Sequence, residues 1–158
     1  MDILLNQKQD YGKFPITLKY KDFGIVRVIQ KGEYRVVYCV EYIKTRIKYL
    51  MKEYLGVEEK MLINLKREIE NTFMLKHPYI ASLYGYFYEG TKVYTIHEYI
   101  EGWDLFTYMN NYEIGAQKTK KIIARIVHAV DFLHAANVAH RDIKPENIMI
   151  NKEGEVKL

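Results

Sequence analysis

The stretch His140-Arg141-Asp142-Ile143-Lys144-Pro145-Glu146-Asn147 decides how this sequence is read. It places a carboxylate, an ammonium and a carboxamide in one short polar run, and the residues on either side are patterned for regular structure. Upstream, Ile122, Ile123, Ile126, Val127, Val130 and Leu133 recur at i, i+3 and i+4 offsets, which predicts a strongly apolar helix ending at His134-Ala135-Ala136-Asn137. Downstream, Ile148-Met149-Ile150 and Val156-Lys157-Leu158 flank Asn151-Lys152-Glu153-Gly154, the pattern of a closing β-hairpin.

Further out, residues 23–29 and 34–40 are rich in Val, Ile, Tyr and Phe and are separated by Gln30-Lys31-Gly32-Glu33, which reads as a first hairpin. A third strand is expected near Ile47 to Tyr54. Leu62, Leu65, Ile69, Phe73 and Leu75 fall close to helical spacing, and His77-Pro78 stops that helix because the residue before proline is pushed out of the α region. Strand-like runs lie around Ile80 to Tyr88 and Val93 to Tyr99. Gly102 punctuates the chain, and beyond it the character turns from sheet to helix. The expected fold class is α+β: a small antiparallel five-stranded sheet with one inserted helix, then a mainly helical part with a loop and a hairpin.

Composition narrows the function classes. The 158 residues are 49% hydrophobic and 28% charged, a globular composition with no low-complexity stretch or repeat. Lysine and arginine number 24 against 20 acidic residues, a net charge of +4 that is spread along the chain and gives no footprint for nucleic acid. The densest cluster, Lys118, Lys120 and Lys121, precedes an apolar-periodic segment and reads as the solvated start of a helix, not a phosphate-binding patch. Cys39 is the single cysteine, so no intrachain disulfide is possible and nothing points to an oxidising compartment. Ile3-Leu4-Leu5 is too short for a signal segment or a membrane span, and Asp2 excludes the myristoylation pattern. The expectation is a cytoplasmic or nuclear protein that binds neither membrane nor nucleic acid.

The run from His140 to Asn147 resembles the catalytic loop of protein kinases, His-Arg-Asp followed by four residues and Asn, and Lys144 gives it the Ser/Thr form. Protein kinases transfer the γ-phosphoryl group of ATP to a protein hydroxyl with Mg2+, chemistry in which the protein mainly positions and neutralises charge. The resemblance implies that Asp142 accepts or orients the substrate proton, that Lys144 neutralises charge on the transferred group, and that Asn147 offers an oxygen to Mg2+. Tyr49-Leu50-Met51-Lys52 is similar to the Val-Ala-Ile-Lys strand motif, which implies that Lys52 contacts the ATP phosphates and pairs with Glu68 on the following helix. Glu70, two residues on, does not share the face of Glu68. Taken alone, Lys52 is an ordinary exposed strand lysine. Leu65 to Phe87, with His77-Pro78-Tyr79-Ile80 and Leu83-Tyr84-Gly85-Tyr86-Phe87, looks especially like Aurora-type kinases. The same resemblance implies Glu98 and Ile100 as hinge residues, His97 as gatekeeper, Asp104 on the ribose, and Ile29, Val37, Leu50 and Met149 around the adenine. The implied organisation is an N-terminal extension at 1–21, a kinase N-lobe and hinge at 22–100, and an incomplete C-lobe at 101–158.

Two departures stand out. The glycine-rich loop, which lets backbone approach phosphate, is reduced to Gln30-Lys31-Gly32-Glu33-Tyr34-Arg35 with Gly32 as its remaining glycine. Arg35 either reaches a phosphate as a cation or clashes, and Leu50 narrows the adenine pocket. The sequence also ends where the pattern places Asp-Phe-Gly, so the resemblance covers about three-fifths of a domain of roughly 250 residues. A kinase incomplete in this way is expected to have little transferase activity by itself and to expose a helical face that a protein partner could cover. The alternative is a pseudokinase-like binding module. The resemblance further implies that Lys52, Glu68 and the Asp142 loop converge on one cleft.

Overall fold

Alternation of β-branched and aromatic residues builds most of the first half of the chain. The computed structural model describes residues 18–56 and 59–158; the sequence readings on Asp2 and Ile3 to Leu5, and most of the proposed extension at 1–21, lie outside them. Strands β1 (Phe23–Lys31), β2 (Arg35–Tyr42), β3 (Ile47–Tyr54), β4 (Leu83–Glu89) and β5 (Lys92–Glu98) form an antiparallel sheet in the order β1-β2-β3-β5-β4. Helix α1 (Glu59–Phe73) is inserted between β3 and β4. The five strands and one helix agree with the expected fold class.

Period-2 alternation gives this sheet two different faces. On β3, Tyr49, Met51 and Glu53 are buried, and the two apolar ones join Leu18, Phe23, Val40, Tyr42, Phe87, Tyr94 and Ile96 in one core. Phe87 stacks on Tyr94 at 4.8 Å between ring centroids. Leu18 is only 2% exposed, so residues placed in the N-terminal extension help to close this core. The opposite face carries Leu50, Lys52 and Tyr54, and α1 packs there through Leu65 and Ile69 against Leu83, Tyr86 and Val93.

The buried carboxylate of Glu53 is held on the aromatic face by Tyr38 Oη at 2.5 Å, Tyr94 Oη at 3.2 Å and Lys92 Nζ at 2.7 Å. Burial alone would raise its pKa; the Lys92 and tyrosine bonds outweigh that and hold it below the usual carboxylate range.

The described residues divide into two compact units. The first runs through Met74 and resumes at Ser82–Tyr99; the second holds Leu75–Ala81 and Ile100–Leu158. In the second, β6 (Gly102–Asp104), β7 (Met149–Asn151) and β8 (Val156–Lys157) form a small sheet in that order beside α2 (Leu105–Asn111) and α3 (Ala116–Ala135). Ile122, Ala129 and Leu133 of α3 pack with Leu105, Ile148, Ile150, Val156 and Leu158. Leu75 and Ile80 join the same core, and the peptide groups of Ala81 and Tyr79 bond Leu158 on both sides, each at 2.9 Å.

Three local expectations differ from what is observed. The first helix ends at Phe73, ahead of His77-Pro78, and Leu75 is in the second unit's core instead of on the helix. The closing hairpin is the outer part of a three-stranded sheet, because Gly102–Asp104 pairs with β7 where the sequence was read as turning helical. A separate short helix, α2, precedes α3.

Candidate functional site

Pro145 organises the loop that carries Asp142. The proline ring excludes the α region for the residue before it, and Lys144 is extended at φ −157° and ψ 159°. Pro145–Asn147 then close one 3-10 turn, with the Asn147 N–H donating to Lys144 O at 3.0 Å. That turn returns the Asn147 carboxamide to Asp142: Nδ2 donates to the Asp142 carbonyl and to its Oδ2, each at 2.8 Å. Lys144 Nζ lies 3.0 Å from the same Oδ2. The Lys144 bond first, and the Asn147 bond second, hold the Asp142 carboxyl below the usual carboxylate range, so it is ionised at neutral pH.

The backbone on the other side of Asp142 is also fixed. Arg141 adopts φ 66°, a region disfavoured for a residue with a β-carbon, and the Asp142 N–H donates to His140 Nδ1 at 3.3 Å. Nothing in residue type signals that left-handed turn.

In the first unit, Lys52 stands opposite Val37 on β2 and Thr95 on β5, with Leu50 opposite Cys39 and His97. Burial lowers the Lys52 pKa, Arg35 lowers it further, and Glu68 opposes them. Glu68 of α1 thus acts to raise the Lys52 pKa, and Glu70 acts to raise that of Tyr88. Arg35 adds a second cation to the face that bears Lys52. His97 Nε2 and Thr95 Oγ1 are 2.9 Å apart, and burial, then Lys52 and Arg35, drive the imidazole pKa well below its ordinary value. Sequence reasoning passed over Thr95; once β5 is placed, its position two residues before His97 puts both on one face.

The remaining predicted residues have other local duties as well. The Gly32 N–H donates to Arg35 O at 2.9 Å in the β1–β2 turn, and an added β-carbon would meet that oxygen at 3.3 Å. Ile29 lies at an irregularity of β1 and is exposed, whereas Val37 is buried. The Glu98 N–H is taken by Ser82 O at 2.8 Å. Asp104 caps α2, accepting from the Thr107 N–H and hydroxyl, both at 2.7 Å. Met149 pairs with Asp104 across β6 and β7, and Ile100 is half-buried at the start of the longer stretch of the second unit.

The sequence profile of the protein kinase domain matches residues 23–158. This chain belongs to the protein kinase domain family. An Aurora kinase of Eremothecium gossypii is 34% identical over 153 residues, which cover 90% of this kinase-family chain and 40% of the relative. Aurora/IPL1-related protein kinase 2 of Caenorhabditis elegans is 36% identical over 162 residues, covering 98% and 50%. The cAMP-dependent protein kinase catalytic subunit of Dictyostelium discoideum is 33% identical over 144 residues, covering 89% and 22%. The kinase-family chain thus spans half or less of the length of these relatives.

Two observations on the donor set bear on what kinases bind. Asn147 spends its amide N–H groups on Asp142, which leaves Oδ1 without a hydrogen bond among the described residues. Those residues hold no cluster of three or more metal-ligating side chains, and one or two hard oxygens suit Mg2+, which keeps water and phosphate ligands. A desolvated Lys52 beside Arg35 suits a polyanion such as ATP. Among the described residues no helix is long and apolar enough to cross a membrane.

Proposed function

We propose that this kinase-family chain carries the machinery of a protein Ser/Thr kinase, which moves the γ-phosphoryl group of ATP to a hydroxyl of a protein substrate. The observation that carries this reading is the bonding of one carboxylate oxygen of Asp142 by both Lys144 and Asn147. An ionised Asp142 orients the substrate hydroxyl and takes its proton as the new P–O bond forms and the bond from the γ-phosphorus to the bridging oxygen breaks, with ADP as the leaving group. Lys144 neutralises charge that builds on the transferred group, and the turn at Pro145 keeps both in register without reorganisation. Asn147 Oδ1 would hold Mg2+, which supplies charge neutralisation at the phosphates.

Lys52 binds the α and β phosphates, and Glu68 supports its charged form. Arg35 is a cation in the place of a family glycine, and Gly32 leaves room for the phosphates. Ile29, Val37, Leu50 and Met149 contact the adenine. Glu98, whose N–H is already used, offers its carbonyl; Ile100 offers its N–H, and Asp104 a carboxylate oxygen to the ribose.

The test uses the whole gene product as wild type, Asp142→Asn and Lys52→Met, with a fluorescent ATP analogue for binding and γ-labelled ATP for transfer to basic protein substrates. Wild type should bind and transfer; Asp142→Asn should bind equally and not transfer; Lys52→Met should bind more weakly. Transfer that survives Asp142→Asn overturns the reading, and nucleotide binding with no transfer by wild type leaves a binding module.

A further inference from the structure

Two lysines of the cluster that opens α3, Lys118 and Lys121, line a cleft. An open cleft of about 410 Å³ separates the first half of α3 from the turn between β7 and β8, within the second unit. Lys118, Lys121, Ile122 and Arg125, at i, i+3, i+4 and i+7, present one helical stripe to it, and Lys152 and Glu153 line the other side. Four cations thus face one carboxylate. Among the described residues none of the four closes an ion pair within 4.0 Å, and α3 carries no acidic side chain before Asp131.

Two of the four are held in place. Arg125 Nη1 donates to the Gly154 carbonyl and its guanidinium lies over the Tyr79 ring at 5.7 Å. Lys118 donates to the Tyr108 hydroxyl and lies over that ring at 4.6 Å. Lys121 and Lys152 are exposed at the rim. Cations already ordered lose little freedom when an anion arrives, and an arginine whose remaining N–H groups stay open matches the oxygens of a phosphoryl group.

We propose that this cleft is a docking site for a phosphorylated side chain of a partner protein, a phosphoserine or phosphothreonine in an extended segment. A dianion with three acceptor oxygens matches a four-cation cleft better than a single carboxylate does. Nucleic acid needs a continued basic track, and the charges of the whole chain, 24 basic against 20 acidic and spread along it, provide none. The inference stands apart from nucleotide binding and transfer, so each can fail alone.

The experiment measures fluorescence anisotropy of a labelled peptide with one phosphoserine among neutral residues, titrated with the whole gene product at low and high salt. Peptides with serine or aspartate in its place and a uridine oligonucleotide are run beside it. The phosphopeptide should bind, the serine peptide should not, and the aspartate peptide should bind at least about tenfold more weakly. The double variant K121E/K152E should lose about tenfold or more in affinity, while K120E, outside the cleft, should change it less than about twofold. Trp103 fluorescence during urea unfolding checks that the variants fold, and K121Q/K152Q replaces the reversal if it does not. Equal binding of the serine peptide, an equal loss with K120E, tighter binding of the oligonucleotide, or no phosphopeptide binding each overturns the proposal.

Discussion

Lys144 acts on Asp142 twice, as a cation and as a hydrogen-bond donor, and both effects favour the ionised carboxylate. Lys144→Met should therefore let the Asp142 pKa rise toward its ordinary value. The acid limb of the kcat/KM profile for phosphoryl transfer should move to higher pH, and a limb that stays fixed or moves lower would contradict the arrangement. His97 gives a second test. Its folded-state pKa is depressed, so below about 6.5 the unfolded chain binds more protons than the folded one. Stability is at its full value above that pH and declines as pH falls below it; melting curves from mildly alkaline to mildly acidic buffer should show the decline, and His97→Leu should flatten it. The loop from His140 to Asn147 was legible through its resemblance to the kinase catalytic loop, and Pro145 accounts for the turn that brings Asn147 back to Asp142, whereas the left-handed backbone of Arg141 was not legible. Nor was the neutral state of His97, since it depends on Lys52 and Arg35 being brought to the same sheet face from distant parts of the sequence.

At the scale of elements, Gly102 shows how a residue can be noticed for the wrong reason. It reads as punctuation, yet a β-carbon there would lie 2.1 Å from Ile150 O and 2.8 Å from Asn151 Cα, so β6 can pair with β7 only if position 102 has no side chain. Gly102→Ala should cost about 3 kcal/mol or more, seen as a shift of the Trp103 fluorescence transition in urea. The five strands of the large sheet were legible because they are long and rich in β-branched and aromatic residues; β6 is three residues with a glycine and carries no such signal. On the aromatic face of that sheet, Tyr38→Phe removes one of the donors to the buried Glu53 carboxylate. A hydrogen bond to a charged group contributes about 1.5–3 kcal/mol, and a loss in that range by urea unfolding is expected. No local pattern announces Glu53 as buried, because its partners come from β2, β5 and the start of β5 at Lys92.

For the whole molecule, the far end of the chain holds a segment from its middle. Leu158 is 9% exposed and bonds the backbone on both sides of Ile80. Leu158→Ala should cost about 2 kcal/mol and speed hydrogen exchange at the Ala81 amide, while an unchanged exchange rate would count against the link. Helical spacing assigned Leu75 to the first helix because pattern reading extends an apolar stripe until a breaker, and cannot register that another core competes for the same side chain. The path of the backbone has a practical corollary. It leaves the first unit after Met74, returns at Ser82 and departs again after Tyr99. Neither unit can be excised from the gene with a single pair of cut points. A clone stopped at Tyr99 would deliver Leu75 and Ile80 to water, and anyone dissecting the protein would need to splice the coding sequence instead of trimming it.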